Sequence, residues 1–164
     1  MDAGADGGQV VWATGWQGLE GLGNGVKGQA AVLEHDAQGK PQIFVDGMHI
    51  IPHLDGTVAV GSTSEREFVS TDSTDTALDD VIAAARHAMP VLADAPVRER
   101  WAGVRPRAKS RAPVLGAHPL KPGAFIANGG FKIGFGMAPK VGAVMADLLL
   151  DGVDRIPDDF RAGV

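Results

Sequence analysis

The apolar positions of this 164-residue chain change period several times. Gln9-Val10-Val11-Trp12-Ala13 is a continuous apolar run, which predicts a short strand of a parallel sheet. It leads through Thr14-Gly15-Trp16 into a glycine-rich stretch over 18–28. A parallel strand needs a partner and nothing precedes this one, so the pattern starts as if midway through a domain. Residues 29–34, 42–45 and 48–52 then read as strands, the last two around Asp46-Gly47. Asp55-Gly56 predicts a two-residue hairpin joining Ile50-Ile51 to Val58-Ala59-Val60. Together these form an antiparallel meander.

The period then becomes helical. Residues 70–75 are a polar linker, and Thr76 with Asp79 makes a capping-box variant, so Thr76 or a neighbour is the expected N-cap. Leu78, Val81, Ile82, Ala85 and Met89 share one helical face, and Pro90 ends the helix. Residues 97–104, 113–116 and 124–127 are further strands, the first interrupted by Arg98-Glu99-Arg100. A glycine-rich loop over 128–139 feeds a last helix with Pro139 in its first turn. Val141, Val144, Met145 and Leu148 form its buried face and Gly152 stops it. The expected class is α+β with α/β pieces: a mainly antiparallel sheet with a packed helix, plus a few strands and a C-terminal helix. No internal repeat is visible.

Composition narrows the chemistry. Cys is absent, which excludes disulfides, thiolate metal sites, Cys nucleophiles and any thioether link to a cofactor. A net charge of −5 argues against nucleic acid as partner. No apolar run approaches the roughly 20 residues of a membrane span, and the acidic, glycine-rich start lacks a secretory signal. A cytoplasmic protein is expected. Twenty-three Gly and ten Pro mean many turns and close backbone approaches.

Two segments could carry a site. The loop over 128–139 would present backbone N–H groups and the positive end of a helix dipole to an anion, or would simply turn a strand into a helix. Residues 98–111 hold six basic side chains against one acid, Glu99. They would grip carboxylates, or form a solvated edge that discourages strand pairing. Arg105, between a small-residue turn and Pro106, has the most constrained backbone of these. His49 and His53 lack a third metal ligand and read as core or edge histidines. No nucleophile elbow, Walker loop or Gly-x-Gly-x-x-Gly is present.

Four segments, in order, resemble the D-amino-acid-oxidase-like family of FAD-dependent oxidoreductases, which includes glycine and sarcosine oxidases. They are Val10-Val11-Trp12-Ala13-Thr14-Gly15-Trp16; Gly47-Met48-His49-Ile50-Ile51-Pro52 with Asp55-Gly56 and Val60-Gly61-Ser62-Thr63; Trp101-Ala102-Gly103-Val104-Arg105-Pro106; and the run over 129–147. The resemblance implies that residues 1–25 end a FAD-binding domain, 26–112 form a substrate-binding domain, and 113–164 return to the FAD-binding domain. It implies non-covalent FAD touched by Thr14, Gly15, Gly129, Gly130, Phe131, Ile133, Gly134 and Ala138, with the last helix starting near Ala138 beside the flavin. It implies a substrate carboxylate held by Arg105 and Lys132, with His49 where some relatives carry an aromatic substrate residue. The complete enzyme would transfer a hydride from the carbon beside an amine nitrogen to flavin, and no side-chain base is required. Two departures stand out. The His that precedes the basic residue in many oxidases is missing before Lys132, and the N-terminal dinucleotide fingerprint is absent, so this chain alone should not hold FAD tightly. The alternatives are a non-catalytic anion- or protein-binding module built on 98–111, and a subunit that completes a flavin site with a separate chain.

Overall fold

A computed structural model describes residues 8–162. In chain order the elements are β1 (Val11–Trp12), β2 (Gly23–Glu34), β3 (Ile43–Val45), β4 (Met48–Pro52), β5 (Thr57–Gly61), α1 (Thr76–Ala88), β6 (Val97–Ala108), β7 (Val114–Ala117), β8 (Phe125–Asn128) and α2 (Gly134–Asp151). The strands form two sheets, a five-stranded one in the order β3-β4-β5-β2-β6 and a three-stranded one in the order β1-β8-β7. The class is therefore α+β, as the pattern predicts. The chain divides into two compact units, one of residues 26–104 and one of residues up to Gly25 together with those from Arg105 onward. The second crossing falls inside the continuous strand β6, so no linker composition marks it.

In the 26–104 unit the meander is antiparallel throughout. Val45 pairs with Met48 across a tight turn in which Asp46 and Gly47 take φ of 49° and 78°, the left-handed values such a turn demands. The β4–β5 turn is wider than the Asp55-Gly56 pair predicts. Pro52 pairs with Val58, and the five residues between them close the loop through His53 N–H donating to Thr57 O at 2.8 Å. Asp55 accounts for the difference, because its carboxylate accepts from both Thr57 N–H and Thr57 Oγ1 and so draws the chain into a longer loop. α1 covers one face of the sheet. Leu78, Ile82 and Ala85 are buried against Ala31, Leu33, Ile50, Val58 and Val60. Each fully buried Leu, such as Leu33 or Leu78, stabilises the fold by about 1.5–3 kcal/mol. The N-cap is Asp75, whose side chain accepts from Ala77 N–H at 3.0 Å, rather than Thr76.

This unit also buries a polar network. Gln29, completely buried, donates from Nε2 to Glu65 at 3.0 Å and to Asp75 at 2.8 Å, and accepts from Asp75 N–H at 2.8 Å. Lys27, 2% exposed, places its ammonium 3.9 Å from both carboxylates. The network joins β2 to the segment after β5 and to the start of α1.

In the other unit β1 runs parallel to β8, with Val11 opposite Phe125. The parallel partner that the opening run requires thus comes from later in the chain. β7 is antiparallel to β8, and two small cores result, Leu19, Ala108, Val114 and Ile126 in one and Leu115, Val144, Met145 and Ile156 in the other. β2 starts six residues before the predicted strand, through Gly23, Gly25 and Gly28. Gly23 is required there, because a Cβ would collide with Arg107 O of β6. β6 in turn runs four residues past Val104, carrying Pro106 on an edge strand, where a missing N–H is tolerated.

Candidate functional site

β8 ends in Asn128, and the site grows from this residue. Asn128 is 8% exposed. Its Oδ1 accepts from Gly129 N–H at 2.7 Å and its Nδ2 donates to Gly15 O at 2.8 Å. One side chain therefore fixes both the turn after β1 and the turn after β8. Gly129 follows with φ of 78°, and a Cβ there would lie 2.9 Å from Ala108 Cβ. Only glycine meets both conditions. Gly130 bridges Arg107, and a Cβ on it would lie 2.8 Å from Gly134 Cα. Phe131 takes a φ of 45°, a left-handed conformation that costs a non-glycine residue about 1–2 kcal/mol. Its N–H donates to Pro106 O at 2.9 Å, and the Arg107 guanidinium lies 5.9 Å from its ring centre, which helps to hold it there.

The last helix begins at Gly134, with Ile133 as N-cap, rather than near Ala138. Pro139 thus lies inside α2 instead of in its first turn. Its missing N–H leaves only the carbonyl of Phe135, near the helix start, without an intrahelical partner. Gly134 and Gly136 read as loop by propensity, but hydrogen bonds from Ile133 N–H to Gly130 O and from Met137 N–H to Ile133 O start the helix before them.

Between the loop, β7, β8 and α2 lies a cleft of about 580 Å³. Its walls are apolar side chains such as Pro106, Leu115, Met137 and Val141, with the backbone of the glycine loop along one edge. Of the residues expected at a cofactor, Gly15, Gly129, Gly130, Phe131, Gly134 and Ala138 line this cleft, as does Lys132. Lys132 is exposed, lies 5.8 Å from the Phe131 ring centre, and is the one titratable side chain on the lining among the described residues. Thr14 and Ile133 flank the cleft without lining it. The Thr14 hydroxyl occupies the space a Cβ on Gly18 would need, and Ile133 is half exposed. Arg105 lies on β6 next to the lining residue Pro106 and is half-buried. His49 lies on β4, in the 26–104 unit, where it is exposed, bonded through Nδ1 to Gln42 Nε2 at 2.9 Å and packed on the Phe44 ring at 4.6 Å.

The glycines of α2 test what the cleft could hold. At Gly134 and Gly142, both on the lining, a Cβ would meet nothing within 4 Å. The chain's own packing does not require glycine there, so the open backbone is available to a group that approaches closely. A flat, largely apolar ring with polar edges suits such walls and such a backbone edge, and the isoalloxazine of FAD is one. Among the described residues the lining carries no carboxylate, imidazole or thiol. Its own chemistry is limited to shape, backbone donors and one cation.

Within the basic segment individual side chains have separate partners. Arg100 is paired with Asp79 at 2.7 Å, Arg98 lies 3.8 Å from Asp55, and Lys109 donates to Gly21 O at 2.8 Å. Among the described residues no three His, Asp or Glu side chains converge as metal ligands would, and no helix is long and apolar enough to cross a membrane. Sequence reasoning gave Asn128 no role. The available signal was an Asn directly before Gly-Gly, a residue type that bonds neighbouring backbone in turns.

Comparison with known proteins places this geometry. The profile of the family described as FAD dependent oxidoreductase matches residues 2–148. The chain is 32% identical over 125 residues to a glycine oxidase of Pseudomonas aeruginosa, covering 76% of this chain and 34% of that protein. It is 31% identical over 151 residues to a glycine oxidase of Bacillus subtilis, covering 87% and 41%. Among solved structures, an iminodiacetate oxidase from Chelativorans sp. aligns with a TM-score of 0.83 at 25% identity, covering 98% of this chain and 47% of that one. A glycine oxidase from Geobacillus kaustophilus aligns with a TM-score of 0.80 at 24% identity, covering 94% and 45%. The chain thus spans between a third and half of the length of these relatives.

Proposed function

The chain belongs to the FAD-dependent oxidoreductase family, and from that premise we propose that it is the C-terminal part of an enzyme that oxidises the C–N bond of an amino acid or secondary amine. The observation that carries this reading is the cleft edged by the Asn128-pinned glycine loop, with unfilled glycine positions at Gly134 and Gly142. Gly129, Gly130 and Gly134 would hold the cofactor ring by its edge, with Phe131 and Ala138 against it. FAD, when bound, supplies the acceptor for the hydride leaving the carbon beside the nitrogen. Lys132, exposed on the lining, would attract the substrate carboxylate, and Arg105 would grip it through its planar fork. Fixing the carboxylate turns the reacting C–H bond toward the ring, which is the orientation term in the rate. With cofactor and substrate in place, the apolar walls would limit the water that reaches the reacting carbon. The residues up to 25 and from 113 would belong to the cofactor-binding part and those between to the substrate-binding part, acting in the cytoplasm.

The test is FAD binding, read from the visible flavin spectrum and by titration calorimetry. The chain is measured alone and with a polypeptide that carries the dinucleotide fingerprint. Binding only in the mixture, followed by oxidation of glycine or sarcosine, is the expected result. Micromolar binding by the chain alone would contradict the division proposed. In the active preparation, Arg105→Ala should raise KM for carboxylate-bearing amines roughly a hundredfold and leave neutral amines nearly unchanged. Equal loss for both would remove Arg105 from the carboxylate.

A further inference from the structure

Among the described residues, neither core of its unit includes the Phe131 ring, which is half-buried on the cleft lining. Its backbone holds a φ of 45°, which a glycine would adopt without strain. Glycine stands at 129, 130 and 134 of the same loop, yet this strained position carries a large ring. Strain kept beside a cleft points to a use for the side chain. What the ring meets are two cations. The Arg107 guanidinium carbon lies 5.9 Å from its centre and the Lys132 ammonium 5.8 Å, both within reach of a cation–π attraction. The two cations differ in freedom. Arg107 is half-buried on β6 and bridges Gly130 through its backbone, while Phe131 N–H donates to Pro106 O at 2.9 Å. The ring is thus tied to the strand through both its backbone and its face. Lys132 is exposed, and among the described residues it forms no ion pair. Its ammonium stands on a flexible four-carbon stem, whose range the neighbouring ring restricts.

We propose that Phe131 is a positioning residue: braced by Arg107, its ring holds the Lys132 ammonium at the cleft and so favours carboxylate-bearing amines over neutral ones. The selectivity rests on the carboxylate reading of Lys132 given above. Consecutive side chains of an extended strand point to opposite faces, whereas the left-handed turn at Phe131 brings side chains 131 and 132 to the same cleft. Leucine at this position would keep an apolar surface but offer no negative ring face to an ammonium. Glycine would remove the strain and the ring together.

The first readout needs no cofactor. In the 164-residue chain with isotope-labelled lysine, the Lys132 ε-methylene protons, identified through Lys132→Met, should be shifted upfield by the ring current. Phe131→Leu and Phe131→Gly should abolish that shift, and Phe131→Tyr should keep it. Lys121, whose ammonium lies 4.1 Å from the Trp12 ring centre, should stay shifted in every variant. The second readout uses the active preparation with FAD bound. There Phe131→Leu should raise KM for glycine or sarcosine about threefold, with kcat and neutral amines nearly unchanged, and Phe131→Tyr should restore the original KM. An unshifted Lys132 signal in the unaltered chain would overturn the proposal, whether or not FAD binds. Equal loss for neutral amines, or a fall in kcat alone, would also overturn it and give the ring to the cofactor or the loop instead. A shifted Lys132 signal in a chain that never acquires amine oxidation would support the hold on Lys132 and overturn the flavin reading.

Discussion

The two units bury their polar side chains for different ends. In the 26–104 unit Lys27, Gln29, Glu65 and Asp75 satisfy one another, and every bond links one part of that unit to another. In the other unit Asn128 bonds only backbone, Gly15 O and Gly129 N–H, and what it shapes is the rim of a cleft. The first arrangement concentrates charge to fix strands and a helix start. The second shapes a cleft whose lining carries no carboxylate among the described residues and leaves glycine backbone open. A buried side-chain network therefore marks architecture in one unit, and a single backbone-binding amide marks the candidate site in the other.

Removing the central residue of the network should have the largest effect. Gln29→Leu fills the same space but leaves Asp75 N–H without its acceptor and both carboxylates short of a donor. A loss of about 3 kcal/mol is expected, less than a wholly enclosed network would give because Asp75 is half exposed and can take up water. Urea unfolding measures it, with hydrogen exchange at Leu33 and Val60 reporting on this unit. A loss below about 1 kcal/mol would mean that the network is incidental and that the contrast between the units does not hold.

Asn128→Ala should cost less, about 1.5 kcal/mol, since two bonds are lost and the site lies beside a solvent-open cleft. Its signature is local. Exchange at Gly129 N–H should accelerate by an order of magnitude or more, while Leu33 and Val60 stay protected. Unchanged exchange at Gly129 would show that the loop is held by its glycine conformations and the Phe131-to-Pro106 bond, without help from the amide.

These two variants also mark where the sequence was legible. The local pattern of apolar positions revealed the meander, the buried face of α1 and the strands β7 and β8, because each buries apolar side chains that lie close together in sequence. The resemblance drew attention to the glycine loop. What escaped was set by pairs of residues far apart in sequence. Gln29 looked like the first residue of a strand, and its partner Asp75 is 46 positions away. Asn128 meets Gly15 across 113 positions. Local rules also misplaced the start of α2. Gly134 and Gly136 have poor helix propensity and Pro139 favours a first turn, yet the turn bond from Ile133 N–H to Gly130 O and the bond from Met137 N–H to Ile133 O begin the helix at Gly134.

The smallest effect expected separates the units by pH. In the unit that holds the cleft, His118 is 6% exposed, its Nδ1 accepts from Leu120 N–H at 3.2 Å, and its ring edge meets Trp12 with centres 5.9 Å apart. Nε2 therefore carries the proton, and it has no hydrogen-bond partner among the described residues. Burial, and then the charge of Lys121, hold the His118 pKa below its ordinary 6.5. The unfolded chain gains a proton at that position as pH falls through 6.5, while the folded chain resists until lower pH. Stability from this group is thus complete above 6.5 and declines as pH falls from 6.5 toward the folded value. In the 26–104 unit the displaced groups are carboxylates. Asp75 is lowered by the Gln29 amide and Ala77 N–H, and Asp55 by the Thr57 hydroxyl, so their contribution is complete above 3.8 and is lost only below it. Asp154, lowered by Arg161, adds a similar low-pH loss to the cleft unit, so the window that distinguishes the units lies between about pH 6.5 and 4. Across it, exchange protection at Ile126, corrected for intrinsic rates, should weaken more steeply than at Val60. His118→Asn keeps an acceptor for Leu120 N–H without a titratable ring, and it should flatten the Ile126 profile. A slope that survives the substitution would assign the pH dependence to another group and leave the two units alike in this respect.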